Sequence, residues 1–476
     1  MRILAVFLLI GLGWGEVFWD PDTALTVPPY INQTSFYTRP PLVVTSDGQV
    51  HIVWESYRRT TPRIPQIYYK RFIPGVGWGE DTCISADLAG TVQCETPVIA
   101  CDSQDNLHIV WGEYNYFWNI WYKMRSADGV WDSVSTSIAP GYTHKGDPVI
   151  ACSPNGNVHV VWRDYTSGLL VYREKIGNVW GPTFTVESVP GLFYAHLVAG
   201  RDNSLHLIYG IQDPAPMSRT YYRCRTGGVW GPREMVMVDS QSRFQDCEAA
   251  VLHPLTGELH ILMRCGGPEF SKIYHTWRSG GVWHPLEPVS DTLADQGGSS
   301  LTFTRDGIAR AVWLRANPYP THGMYYKERT PSGEWTGEVC LRERDVENTY
   351  FTTGRRGGDS SDLYLLFTNN DSVNEVYFRH GVTPLGVEEN NGILMSSGGD
   401  ISVRGFHHIS YSVKQPGPVR LAVYDVMGRM VKLLVAGNKE KGIYEVRIPE
   451  EVVAGVYFIR LDAEDVKETK KVVLFR

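Results

Sequence analysis

Apolar positions in this chain come in short runs separated by turn residues, and no stretch carries a helical stripe of convincing length. Pro97-Val-Ile-Ala-Cys101 is a continuous apolar run of the kind buried on both faces. Asp102 to Asn106 is a turn cluster, and Leu107-His108-Ile-Val-Trp111 follows it. Next comes Ile120-Trp-Tyr-Lys-Met124, and after the turn Ser126-Ala-Asp-Gly129 a last strand is predicted to open at Trp131. The unit therefore reads as four short antiparallel strands.

That unit repeats. Its closing phrase recurs as Val-Phe-Trp19, Val-Gly-Trp78, Gly-Val-Trp131, Asn-Val-Trp180, Gly-Val-Trp230, Gly-Val-Trp283 and Gly-Glu-Trp335. Between these lie His51-Ile-Val-Trp54, His108-Ile-Val-Trp111, His159-Val-Val-Trp162, His206-Leu-Ile-Tyr209, His260-Ile-Leu-Met263, Arg310-Ala-Val-Trp313 and Tyr364-Leu-Leu-Phe367. A period of roughly 50 residues built from four-stranded units predicts a radial all-β fold, a seven-bladed β-propeller. The seventh unit lacks a Trp-led fourth strand after Gly381, while the phrase Trp19 to Val27 has no strands before it. Placing the N-terminal strand on the outside of the last blade closes the ring and removes two unpaired edges.

Both ends read as addresses. Arg2, the apolar core Ile3 to Leu12 and the small residues Gly13 and Gly15 make residues 1–15 a secretory signal peptide. The propeller is expected over 16–386, and a polar, glycine-bearing linker over 387–398. Residues 399–476 form a second β unit with the alternation of a small immunoglobulin-like sandwich. Within it, Tyr424-Asp-Val-Met-Gly428-Arg429, Gly442-Ile-Tyr444, Ala454-Gly455-Val-Tyr457-Phe458 and Thr469-Lys470-Lys471-Val-Val-Leu474 resemble the C-terminal sorting domain (type A) of type IX secretion cargo. The resemblance implies a route through the periplasm and across an outer membrane, the secretion machinery as partner, and a product that is secreted or held on the outer cell surface. An ordinary immunoglobulin-like appendage shares the strand pattern without the motif series.

Composition narrows the chemistry. The net charge of -7 comes with no basic run, which argues against nucleic acid, and nothing in the mature chain is long and apolar enough to span a bilayer. Eight cysteines in an exported chain make disulfides possible. Cys247 and Cys265 are the first candidate pair and Cys83 and Cys94 a weaker one. No His or Cys cluster has metal-ligand spacing, so neither a metal nor another cofactor is expected. The five histidines of the repeat sit at one place in each unit, spread round a ring, and read as structural.

Ligands of such folds sit where the loops entering the first strands meet the loops leaving the second strands. That face gathers Arg39, Glu95, Asp147, His196, Asp246, Glu248, Asp295 and Tyr350 from the entering loops. Glu55, Glu113, Asp164, Arg264 and Arg315 join them from the second-strand ends. The hairpins Arg125-Ser-Ala-Asp-Gly-Val-Trp131, Arg225-Thr-Gly-Gly-Val-Trp230 and Arg278-Ser-Gly-Gly-Val-Trp283 look like shortened Asp boxes. Together with Tyr37-Thr-Arg39-Pro-Pro-Leu-Val-Val44 and Trp54-Glu55 they resemble the sialidase and BNR-repeat superfamily. The resemblance implies Arg39, Arg264 and Arg315 as a carboxylate-binding triad, with Glu248 and Tyr350 as base and nucleophile. The acid/base Asp that the family places after the first blade's second strand has no counterpart in residues 56–67. The leading expectation is thus an exported propeller that binds a glycan or protein ligand through Arg39, Glu55, Glu113, Asp147, Asp164, Arg264 and Arg315. A sialidase-like glycoside hydrolase acting on acidic glycans is the alternative.

Overall fold

The structure, a computed structural model, describes residues 17–26, 30–34, 40–58, 64–74, 76–88, 92–114, 118–139, 141, 143–212, 217–236, 242–267, 270–291, 294–304, 307–317, 323–330, 332–343, 346–353, 361–369, 375–383, 401–404, 408–425, 429–449, 452, 455–463 and 467–474. Arg39, the signal segment 1–15, the linker 387–398 and Gly428 lie outside them. The chain divides into two compact units, Met1–Gly386 and Val387–Arg476. Both are all-β.

The first unit holds seven antiparallel sheets among the described residues. Their first strands are Leu42–Val44, Gln93–Cys101, Lys145–Cys152, Leu192–Ala199, Phe244–Leu252, Asp295–Phe303 and Val346–Thr353. Each adjoins the next, and the last adjoins the first. We number the sheets one to seven in that order. In sheet seven the chain's N-terminus supplies the outer strands: Phe18 and Trp19 pair with Val382 and Gly381, and Thr23 and Ala24 pair with Phe378 and Tyr377.

The repeated residues explain what fixes neighbouring sheets to one another. Each phrase tryptophan meets an aromatic ring on the third strand of the preceding sheet, nearly edge-on. The pairs are Tyr69–Trp131, Tyr122–Trp180, Tyr172–Trp230, Tyr222–Trp283, His275–Trp335, Tyr326–Trp19 and Phe378–Trp78, with centroids 5.0 to 5.7 Å apart. Such T-shaped pairs contribute beyond the area they bury. The last two pairs carry the series across the chain's own ends. The second-strand tryptophans Trp54, Trp111, Trp162 and Trp313 are fully buried core residues.

The repeated histidines tie four of the sheets together internally. Nδ1 meets the hydroxyl of a third-strand tyrosine in His51–Tyr69 (2.7 Å), His108–Tyr122 (2.8 Å), His159–Tyr172 (2.8 Å) and His206–Tyr222 (2.9 Å). Nε2 meets the turn between first and second strands, at Thr45, Asp102, Ser153 and Ser204 respectively. Burial pushes His51 down to about 3 and His159 to about 4, so both rings are neutral at pH 7. In sheet six Arg310 takes the histidine's place and bonds Glu328, which also accepts from Tyr326.

Two expectations need correction. The phrase tryptophan does not open a continuous fourth strand. It closes a short hairpin on the third strand, as in Lys175↔Trp180 and Arg225↔Trp230, and the outer strand resumes only at Phe184–Ser188 and Glu234–Met235. Pro182, Pro232 and Pro285 follow these tryptophans, and proline cannot donate to a ladder. Cys247 and Cys265 do not face each other: Cys247 lies opposite Met263, Cys265 opposite Gln245, and none of the eight cysteines is bridged.

His380 closes the ring electrostatically, with Nδ1 2.9 Å from Asp20 and Nε2 2.9 Å from Asp362. Burial opposes its charge, but the bonds to the two carboxylates outweigh that and raise its pKa to about 9. A raised folded value means stabilisation that is complete below the unfolded histidine's value of about 6.5 and lost as pH climbs through 9. The melting midpoint of the first unit should therefore fall between pH 6.5 and 9, and His380→Gln should flatten that fall.

The second unit consists of a three-stranded sheet (Ile401–Arg404, His408–Val413, Gly442–Arg447) and a four-stranded sheet (Met430–Lys439, Gly417–Asp425, Gly455–Asp462, Lys467–Leu474). They share a core that includes Ile409, Tyr411, Leu421, Val423, Tyr457 and Ile459. Arg429 reaches back across the hairpin turn to Asp425, at 2.8 Å from Nε and 2.9 Å from its backbone N. Tyr424 is half-buried, Lys470 is exposed opposite Ile459, Lys471 pairs opposite Phe458, and Gly455 begins its strand opposite Leu474.

Candidate functional site

Six of the seven first strands carry a bulge near their N-terminal ends, where extra residues slip out of register. The extra residues are Thr96 and Pro97, Asp147 and Pro148, Tyr194, Glu248, Gly298 and Ser299, and Asn348. Thr96, Asp147 and Tyr194 have φ of 52°, 55° and 32°, a region that side chains rarely adopt. Bulges re-aim side chains, and strained residues of this kind cluster at functional sites. Here they point to the end of the ring where first strands begin and second strands finish.

The sector of sheets two and three is aromatic. Trp118 stacks on His144 (5.4 Å) and meets Tyr165 edge-on (5.9 Å). The Arg163 guanidinium lies 4.3 Å above the Tyr165 ring and donates from Nη1 to Asp147 at 3.0 Å, and the Tyr165 hydroxyl donates to the same carboxylate. His144 and Tyr165 are exposed. Asp164 is held inward by Thr143 Oγ1 (2.6 Å) and the Ser167 amide (3.0 Å). Trp121 Nε1 donates to Glu113 at 2.7 Å, while burial raises the Glu113 pKa.

The sector of sheets one and two is acidic. The Thr96 amide donates to Glu55 Oε2 at 3.0 Å, yet burial, with the nearby Glu95 charge, raises Glu55 to about 8. Glu95 is raised by burial as well. The sector of sheets five and six brings Glu248 and Arg264 together. Glu248 accepts from the Ser299 amide (2.9 Å) and hydroxyl (2.7 Å), and burial raises its pKa against the pull of those bonds and of Arg264. Arg264 lies 3.6 Å from Asp295 and donates from Nε to Ser271 at 3.3 Å. Burial raises Asp246, which accepts from Ser218.

Other candidates separate from this set. Arg315 donates to Glu338 at 2.6 Å, with its guanidinium 3.9 Å over Tyr325, so its charge is spent on its own sheet. Tyr350 and His196 line a cavity of about 240 Å3 between the first strands. Burial pushes Tyr350 up to about 12, its hydroxyl bonds Thr352 rather than Glu248, and His196 donates to the Cys247 carbonyl at 3.2 Å. The proposed base and nucleophile thus have different partners.

Sequence reasoning did not single out Trp118, His144, Arg163 or Tyr165. The signal was present in Thr96-Pro97 and Asp147-Pro148, since a proline inside an apparent inner strand marks a bulge.

No family model matches the chain, and no curated protein matches it. Among solved structures it is similar to a polysaccharide lyase of family PL25, an ulvan lyase bound to -[GlcA(1-4)Rha3S]-. The TM-score is 0.53 at 12% identity over 72% of this chain and 92% of that one. A second structure described as a PL25 ulvan lyase gives 0.52, with the same identity and coverage. The Hadza microbial sialidase Hz136 aligns with TM-score 0.42 and 12% identity over 71% of this chain and 74% of its own. The chain's structural neighbours are β-propellers.

Proposed function

We propose that this chain is an exported seven-bladed β-propeller, closed by its N-terminal strand, that binds a glycan at the mouth of the ring. The observation that carries the reading is the Trp118, His144 and Tyr165 platform beside the Arg163–Asp147 pair. An aromatic face buries the apolar face of a sugar ring at small entropic cost, and adjacent charged groups fix its hydroxyls. The ulvan lyase, bound to -[GlcA(1-4)Rha3S]-, supports a carbohydrate over a protein ligand.

The sialidase-like hydrolase has less behind it. Its arginine triad would require Arg315 to leave Glu338, and its nucleophile Tyr350 bonds Thr352. The experiment is a panel of polysaccharides and oligosaccharides presented to the purified protein, scored for retention and for cleavage. Retention without cleavage, weakened about tenfold or more by Trp118→Ala, is the expected result. Release of a terminal acidic sugar would favour the hydrolase.

We further infer that residues 1–15 direct export and that residues 399–476, after the linker 387–398, are an immunoglobulin-like sorting domain of type IX cargo. Tyr424, Gly428, Arg429, Gly455, Tyr457, Lys470 and Lys471 carry the resemblance. The secretion machinery is then the partner, and the destination is the medium or the outer cell surface.

A further inference from the structure

The acidic sector of the mouth brings two carboxyls together. Many charged groups among the described residues of the first unit are paired across or within sheets, as in Arg225–Glu174, Arg329–Glu287 and Arg379–Asp22. Glu55 and Glu95 instead sit within electrostatic reach of each other, and no described cation pairs with either. Glu55 is 3% exposed, and only its Oε2 is bonded by a described residue, the Thr96 amide. Thr96 adjoins Glu95 in the chain, and its backbone amide bonds Glu55. It is 8% exposed, and its hydroxyl has no hydrogen-bond partner among the described residues. Tyr57 completes the group, close enough to feel both carboxylates.

Two carboxyls, an orphaned buried hydroxyl and a phenol ring form a complementary set for one ligand chemistry. A protonated primary amine has three donors and a compact charge, and it suits carboxylate oxygens, a hydroxyl and an aromatic face together. An anionic group would meet repulsion here. We propose that Glu55, Glu95, Thr96 and Tyr57 form a subsite for an ammonium group carried by the glycan, that is, for a sugar with a free amine. The inference rests on the glycan reading above and assigns one end of the same mouth.

Protonation supplies a second readout. With Glu55 raised to about 8, the unliganded carboxyl is mostly protonated at pH 7, with Glu95 and Tyr57 the titratable groups facing it. An arriving ammonium favours the ionised form, so binding releases up to one proton.

The test is calorimetric titration of the full chain with a glucosamine hexasaccharide and with its N-acetylated counterpart, at pH 7 in two buffers of different ionisation enthalpy. The amine form should bind at least tenfold tighter, with heat that depends on the buffer, and Glu55→Gln should erase both the preference and the proton release. Gln keeps an acceptor for the Thr96 amide, and Glu95→Gln provides a second variant should the first misfold. Equal binding of both oligosaccharides, unaffected by either variant, would overturn the subsite and leave the glycan reading standing. Binding of neither sugar, with Glu55-dependent binding of a lysine-rich peptide, would overturn the proposal in favour of a protein partner and remove the glycan reading with it.

Discussion

Removing residues 17–26 should leave the first unit open, aggregation-prone and quickly proteolysed, and Trp19→Ala alone should cost about 3 kcal/mol of its stability. The N-terminal segment touches three sheets at once. Trp19 packs edge-on to Tyr326 of sheet six at 5.7 Å and against Phe351 of sheet seven at 6.0 Å. Asp22 accepts from Arg342 and Arg379, each at 2.6 Å, and the Leu25 carbonyl accepts from Lys70 of sheet one at 3.0 Å. Gly381 is cut to fit the indole: a Cβ there would lie 2.7 Å from Trp19. Without the segment, strand Glu375–Thr383 becomes an unpaired edge, which templates association between chains. Limited proteolysis and light scattering of the truncated protein check this. A soluble, monomeric, cooperatively melting product would refute the closure.

The second large effect concerns delivery. A chain lacking residues 399–476 should accumulate in the periplasm with its first unit folded, because the second unit is a separate compact body with its own core. The expected result is near-complete loss from the surface and medium in cell fractionation, with periplasmic protein that melts as the full chain does. Undiminished surface delivery would refute the sorting role. Arg429 and Lys470 are exposed, whereas Tyr457 belongs to the core. Substitutions at the first two should therefore impair delivery without unfolding, and Tyr457→Ala should unfold the second unit.

The all-β character and the repeat were legible because they depend on residues whose role recurs in unit after unit. His51, His108, His159 and His206 each bridge a turn to a third-strand tyrosine, so a local requirement printed the same letters four times. The outer strands were misread at Trp180 and Trp230, since strand propensity there ignores the prolines two residues on. At the mouth, Glu248 and Arg264 lie together because adjacent strands of one sheet carry them, which strand order alone indicates. Arg315 behaves otherwise because Glu338, on the outer segment that follows Trp335, takes up its charge. Trp118, His144 and Tyr165 fall on three separate connections, and only the bulge at Asp147 and the fold of sheet three bring them into one platform.

The central claim is that this platform holds a sugar. The most direct measurement is the dissociation constant of the best-retained oligosaccharide for the intact protein, compared with Trp118→Ala and with Trp162→Phe as a core control. The account predicts weakening of tenfold or more for Trp118→Ala and little change for Trp162→Phe, because Trp162 is buried between sheets and cannot reach a ligand. Unchanged affinity in Trp118→Ala, with the protein folded, would contradict it.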